Sequence, residues 1–375
     1  MPGMSFFRNR GIKLSGITSV VPANRVTVES FSEVFGEEIP ARFSASTGIK
    51  AMYKALPQQT ASDLAYAAAE KLIERKGIDR NQIGMMVLVT QSPDYRRPSS
   101  ASVVQKRLKL PIDCSCMEIN LGCSGFIYGL QTAMSLMAAS DMKYGLLLMG
   151  ETASKLVHPL DKSIVMMYGD AGAAVLLEKA ERDIETTTLL RSDGDRYKAI
   201  ILPAGGFRDM DAPHDRFLCS DGIERSLYDI YMDGTSVFSF SISDVPEALE
   251  DYLKYTETTS DDYDIFAFHQ ANAFIIKQLI RKLKLKKESV PISLDRYGNT
   301  GGISIPITLC DAFGSIPDRS QETENGDTVK RILMSGFGIG LSWGVTSVSI
   351  DMRDVFPIEE TDDYYREGRI TPDML

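Results

Sequence analysis

The 375-residue chain is poor in histidine, with His158, His214 and His269 its only three, and it holds a single tryptophan. Its five cysteines are an odd number, which does not suit a disulfide framework in a chain this long. Cys114 and Cys116 stand one residue apart, the wrong spacing for a zinc pair, so no metal site is expected. No apolar run approaches the ~18 residues that would cross a bilayer. Residues 1–10 contain no stretch apolar enough for a signal peptide, and the expected compartment is the cytoplasm. Basic excess is missing too: net charge is −10, against nucleic acid or an anionic membrane surface as the main partner. What remains is ordinary for a globular protein, 43% hydrophobic and 25% charged, with length enough for one large domain or two medium ones.

Strand and helix patterns alternate, which favours an α/β fold. Residues 11–21 read as a strand and 61–75 as a helix with Leu64, Ala65, Ala68 and Leu72 on one face, capped near Ser62 or Asp63. The continuous apolar run 84–90 reads as a buried strand, 91–98 as a loop and 99–108 as a helix. Strands are expected at 114–120 and 144–150, and 169–177 reads as a turn feeding a further strand. Similar signals recur later: a helix over 237–255, a strand over 263–268, then strands at 331–335 and 344–350 joined through the glycine-rich 336–340. Each half thus has a strand, a turn bearing a reactive residue (Cys123, His269) and a helix, which suggests two similar halves, 1–180 and 181–350. Within the second, 181–225 is rich in charge and turn residues and reads as an insertion or linker. The acidic tail 351–375 is expected either to dock as a short segment or to be loosely ordered.

The chain is organised around residues 118–130, Glu-Ile-Asn-Leu-Gly-Cys-Ser-Gly-Phe-Ile-Tyr-Gly-Leu. A short strand runs into a small-residue turn and then a helix to about Met137, whose apolar residues recur at helical spacing. Cys123 sits on the turn, where the positive end of the helix dipole favours its thiolate. The alternative for this stretch alone is a small buried cysteine in a packed core.

Two further motifs weigh on that choice, Phe268-His269-Gln270-Ala271-Asn272 and Tyr297-Gly298-Asn299-Thr300-Gly301-Gly302-Ile303-Ser304-Ile305-Pro306. Together with Gly122-Cys123-Ser124-Gly125-Phe126 they resemble the active site of the thiolase-like condensing enzymes, most of all β-ketoacyl-acyl carrier protein synthase III. The likeness runs in order over about residues 11–350. It includes Ser46-Thr47-Gly48-Ile49, Thr90-Gln91-Ser92-Pro93-Asp94-Tyr95, Tyr168-Gly169-Asp170-Ala171-Gly172, Met232-Asp233-Gly234 before Val237-Phe238, and Gly336-Phe337-Gly338-Ile339-Gly340. The resemblance implies a five-layered αβαβα fold of two pseudo-symmetric halves, usually a homodimer, with Cys123, His269 and Asn299 as a catalytic triad and no cofactor. It further implies an oxyanion hole from the N–H groups of Cys123 and Ile339, with Phe238 and Gly338 at the substrate. Cys123 would carry an acyl group taken from a thioester. Neutral His269 and Asn299 would donate hydrogen bonds to a malonyl thioester oxygen as CO₂ leaves, and a 3-oxoacyl thioester would form.

The chain departs from this pattern in places. Where the family commonly has a Trp and an Arg for the adenine of coenzyme A, this chain has Arg42 and Ser46, so the acyl donor is left open between acyl-CoA and an acyl-acyl carrier protein; the extender is expected to be malonyl-acyl carrier protein. Arg97 stands where the family often places an apolar or small residue reaching the neighbouring subunit's acyl pocket. It either selects a polar or acidic acyl group there or is a solvated loop arginine. Ile339 replaces a usual glycine. The basic run 281–287, with Arg281, Lys284 and Lys286, is either a docking patch for an acidic carrier protein or a solvated face. Two other functions stay open: an acyltransferase of this fold acting on a hydroxyl or amine, and a catalytically silent partner subunit.

Overall fold

The computed structural model describes residues 5–182, 184–314 and 328–374. Two sheets carry it. The first has six strands in the order Glu359–Thr361, Ile12–Pro22, Ala171–Lys179, Tyr144–Glu151, Ile83–Val89 and Ser115–Ile119. The second has five, in the order Ser5–Arg10, Glu185–Ser192, Ser342–Asp351, Val329–Gly338 and Ile265–Phe268.

Strands buried on both faces must be apolar at every position, and their alternate residues go to different layers. Met85, Val87 and Val89 of the first sheet face the middle of the molecule, as do Ile332 and Met334 of the second. Between the two sheets lie the helices Gly125–Ala138 and Ser304–Phe313, whose Phe126, Ile127, Leu130, Ile305 and Leu309 fill one core. Met86 and Leu88 point the other way, onto Ala61–Lys76 and Ser100–Arg107. Leu333, Phe337 and Val345 of the second sheet pack with Gly234–Thr256 and Ala273–Lys282. The layers are helix, sheet, helix, sheet, helix, each sheet with its own outer pair of helices: the five-layered arrangement of two similar halves. Gly172 lets the outer helix come close, because a Cβ there would lie 2.2 Å from the Leu64 carbonyl oxygen.

The structure departs from the sequence reading at several points. Ser5–Arg10 pairs antiparallel with Glu185–Ser192, so the first strand of the chain belongs to the second sheet. Glu185–Ser192 is therefore a core strand inside the stretch read as an insertion. The helix Ala61–Lys76 is capped by Thr60, in a capping box with Asp63. Gly336 and Gly338 lie within a strand, so the connection between the last long strands is only residues 339–341. The tail docks: Glu359–Thr361 runs parallel to Ile12–Pro22, and Tyr365 N–H donates to the buried Asp63. No helix among the described residues is long and apolar enough to cross a membrane.

Candidate active site

Cys123 lies in the tight turn between the strand Ser115–Ile119 and the central helix, where Gly125 N–H donates to the Gly122 carbonyl at 2.7 Å. The turn is tied to the second sheet by Ser124 Oγ, which is hydrogen-bonded to Ser342 Oγ at 2.6 Å. Gly338 packs against Cys123 so closely that a Cβ would sit 2.9 Å from its sulfur. Burial pushes the thiol up to about 11. The N–H groups of Ile339 and of Cys123 itself oppose that shift, and the Glu151 charge adds to it. Burial thus outweighs the two N–H groups, which favour the thiolate.

His269 follows the strand Ile265–Phe268 and keeps its register, its N–H donating to the Ser335 carbonyl at 2.9 Å. The imidazole meets the Phe337 ring edge-on, centroids 5.4 Å apart. Its Nδ1 lies 3.0 Å from the Gly301 carbonyl oxygen and 2.8 Å from Ser304 Oγ. Burial draws its pKa down to about 4, against the pull of the Gly301 carbonyl, so the ring is neutral at ordinary pH.

Asn299 is held by backbone to the other half of the molecule. Its N–H donates to the Met167 carbonyl at 2.9 Å, and its carbonyl accepts from Gly169 N–H at 3.1 Å. Its side-chain Oδ1 accepts from Gly301 N–H at 3.0 Å. Loops from both halves therefore place Cys123, His269 and Asn299 on the wall of one cavity of about 100 Å³, together with Phe238, Gly338 and Tyr168. No group of His, Cys, Asp or Glu among the described residues could hold a metal ion.

Other residues singled out in the sequence lie elsewhere. Arg97 is exposed on its loop, its guanidinium 5.9 Å from the Phe207 ring centroid, and does not line the cavity. The helix Ala273–Lys282 starts at the cavity, where Ala271, Asn272 and Ile275 line it. Arg281, Lys284 and Lys286 are exposed at its far end, about 15 Å along the axis. Lys286 pairs there with Asp261 at 3.6 Å, and Lys284 borders the same acidic hollow, with Asp264 and Glu288. Conversely, sequence reasoning did not single out Ser304, Tyr168 or Glu151 as site residues. Glu151 was findable as a carboxylate that directly continues a buried apolar strand. It accepts from Gln91 N–H at 2.7 Å and from the Ser92 hydroxyl at 2.8 Å, and burial raises it to about 7.

Two stacked α/β halves with a cysteine at the mouth of the central helix are the thiolase-like architecture, that of the condensing enzymes. Residues 117–194 match the family model described as 3-oxoacyl-[acyl-carrier-protein] synthase III, and 253–350 match the model of its C-terminal part. A putative 3-oxoacyl-[acyl-carrier-protein] synthase 3 of Campylobacter jejuni is 30% identical over 352 residues, 92% of this chain and 95% of that one. The β-ketoacyl-[acyl-carrier-protein] synthase III of Streptococcus suis is 32% identical over 335 residues, 88% of this chain and 97% of its own. The crystal structure of a 3-oxoacyl-(acyl-carrier protein) synthase from Burkholderia xenovorans LB400 superposes with a TM-score of 0.87 at 32% identity, covering 96% of this chain and all of that one. The chain belongs to the 3-oxoacyl-[acyl-carrier-protein] synthase III family, an enzyme family of condensing acyltransferases.

Proposed function

We propose that Cys123, His269 and Asn299 carry out the decarboxylating Claisen condensation of an acyl thioester with a malonyl thioester. The observation that supports this is their meeting at one cavity, from turns of both halves. In the first step the Cys123 sulfur attacks the acyl carbonyl, its proton passing to the departing thiol, and a thioester forms on the enzyme. The N–H groups of Cys123 and Ile339 lie beside the sulfur, where an acyl oxygen would gather charge. In the second step the malonyl C–CO₂ bond breaks, and the thioester oxygen takes up negative charge facing Asn299 Nδ2 and His269 Nε2. The carbanion then attacks the acyl-cysteine carbon. Cys123 leaves as a thiolate and is reprotonated, and a 3-oxoacyl thioester is released. Aligned neutral donors favour condensation over simple acyl transfer to a hydroxyl or amine.

The proposal takes malonyl-acyl carrier protein as extender and acyl-CoA or acyl-acyl carrier protein as primer. It also takes a homodimer as the working unit: Ser115–Ile119 ends the first sheet with no further strand beside it among the described residues, an edge that a second copy would cover. Exposed Arg97 would then face the partner's acyl pocket and favour polar or acidic acyl groups, a preference that Arg97→Phe removes. Carrier docking on Arg281, Lys284 and Lys286 would be weakened by charge reversal in a salt-dependent way.

Intact-mass spectrometry after incubation with a panel of acyl thioesters tests the core of the reading. Expected is one acyl group on Cys123, discharged as 3-oxoacyl product when malonyl-acyl carrier protein is added. An adduct passed unchanged to a hydroxyl or amine, with no carbon–carbon bond formed, would overturn it.

A further inference from the structure

We propose that Ser304 is a positioning residue that selects the Nε2–H tautomer of His269 and so makes the imidazole a hydrogen-bond donor. This rests on the role given to His269 under Proposed function.

A neutral imidazole carries one proton, and what Nδ1 faces decides which nitrogen has it. Two groups face Nδ1. The Gly301 carbonyl, at 3.0 Å, can only accept. Ser304 Oγ, at 2.8 Å, can donate or accept. With the carbonyl alone, Nδ1 would keep the proton, and Nε2 would present a lone pair to the cavity. A lone pair repels an enolate oxygen, so that tautomer works against decarboxylation.

The hydroxyl's other partner points its proton the other way. Ser304 Oγ already accepts the Gln270 N–H at 3.2 Å. Among the described residues His269 Nδ1 is the one acceptor within reach of the Ser304 proton. Donating there puts the imidazole proton on Nε2. Ser304 is also well fixed for the task. It is buried at 1% exposure, it is the first residue of the helix Ser304–Phe313, and its carbonyl accepts the Thr308 hydroxyl at 2.7 Å. The same arrangement leaves the ring able to reverse: when the tautomer swaps, Nδ1–H donates to the Gly301 carbonyl and Nε2 becomes a base of the kind that drawing the proton from the Cys123 thiol requires.

The chain has only three histidines, which makes its imidazole nitrogen resonances assignable with a His269→Gln reference. In ¹⁵N-histidine-labelled enzyme, His269 is expected as the Nε2–H form in the parent and as the Nδ1–H form in Ser304→Ala, with Ser304→Thr restoring the parent pattern. In single-turnover assays Ser304→Ala is expected to slow condensation of pre-acylated enzyme by about 10- to 100-fold, less than loss of a whole donor. Acylation of Cys123 should stay within about threefold of the parent, and Ser304→Thr should recover most of the loss. An unchanged tautomer in a folded Ser304→Ala protein overturns the proposal, as does an equal fall in both half-reactions. If the tautomer moves and condensation does not, the positioning role stands and the donor role of His269 falls.

Discussion

Asn299 Oδ1 accepts the Gly301 N–H at 3.0 Å, which turns the carboxamide so that its NH₂ group is left for the cavity it shares with Cys123 and His269. No described residue takes a hydrogen bond from that NH₂, so it is free for a substrate oxygen. In the proposed mechanism, Asn299→Ala removes one donor to the enolate. The expected loss is about 10²- to 10³-fold in condensation of pre-acylated enzyme, with the rate of Cys123 acylation little changed. Stopped-flow consumption of malonyl thioester and mass spectrometry of the acyl-enzyme measure the two separately. Equal losses in both would place Asn299 in the scaffold and not at the enolate.

The depressed pKa of His269 makes stability depend on pH. An unfolded histidine titrates near 6.5 and the buried one at about 4. Between those values the unfolded chain binds a proton that the folded chain does not, so stability rises with pH. This contribution is intact above about pH 6.5, and about 2 kcal/mol of it is lost by pH 5. Denaturant titrations at pH 7 and pH 5 should show that extra loss in the parent and not in His269→Gln. Parallel losses in the two proteins would mean that the imidazole titrates freely.

Gly338 offers a test of spacing at Cys123, the proposed nucleophile. An added Cβ would lie 2.6 Å from Cys123 Cβ and 2.9 Å from its sulfur. Gly338→Ala must shift the thiol, and a displacement of about 1 Å costs on the order of 10²-fold in rate. Acylation is expected to fall by that factor while the far-UV circular dichroism stays that of the parent. Parent-like acylation would show that the strand end yields freely.

The C-terminal tail is fastened through a buried ion pair. Arg107 Nη1 lies 2.7 Å from Asp63 Oδ1, with side-chain exposures of 7% and 2%. The guanidinium also stacks between the rings of Tyr66 and Tyr365, at 4.0 and 4.9 Å from their centroids. Removing one partner leaves a buried charge, so Arg107→Met is expected to destabilise by about 3–5 kcal/mol. Asp63→Asn in the same chain should recover part of this, because the stranded carboxylate is gone. Urea midpoints of the single and double variants measure it, and strict additivity would remove the coupling.

How far the fold was legible follows from where its signals lie. The turn at Cys123, the strands 83–89 and 144–151 and the central helix carry local apolar periodicity, and they form within a residue or two of where it places them. Ser5–Arg10 has no such signal for its partner: only the pairing with Glu185–Ser192 assigns it to the second sheet. The tail was opaque for the same reason, being held by Asp63, by Gln59 and by Lys71 through polar contacts about 300 residues away in sequence. At the site, Cys123, His269 and Asn299 stood out as motif residues. Ser304 lay inside a quoted motif, yet its use depends on which ring nitrogen it touches, and only coordinates supply that.

Glu151 is a buried carboxyl whose charge reaches the Cys123 thiol. Burial raises its pKa to about 7, against hydrogen bonds from Gln91 N–H and the Ser92 hydroxyl, and its negative charge in turn raises Cys123. Glu151→Gln keeps an oxygen for the Gln91 N–H, and the Ser92 hydroxyl can turn to accept from the new amide. The charge goes and the packing stays. At pH 8, where Glu151 is ionised, the variant's Cys123 should be alkylated by iodoacetamide a few times faster, since more of it is thiolate. At pH 5.5 the parent carboxyl is already protonated, and the two rates should converge. Stability should diverge the same way. The folded carboxyl binds its proton more tightly than an unfolded glutamate, which titrates near 4.3, so the parent loses stability as pH rises from there through about 7 and the glutamine variant does not. Equal alkylation rates at pH 8 would show that the charge is screened before it reaches the sulfur.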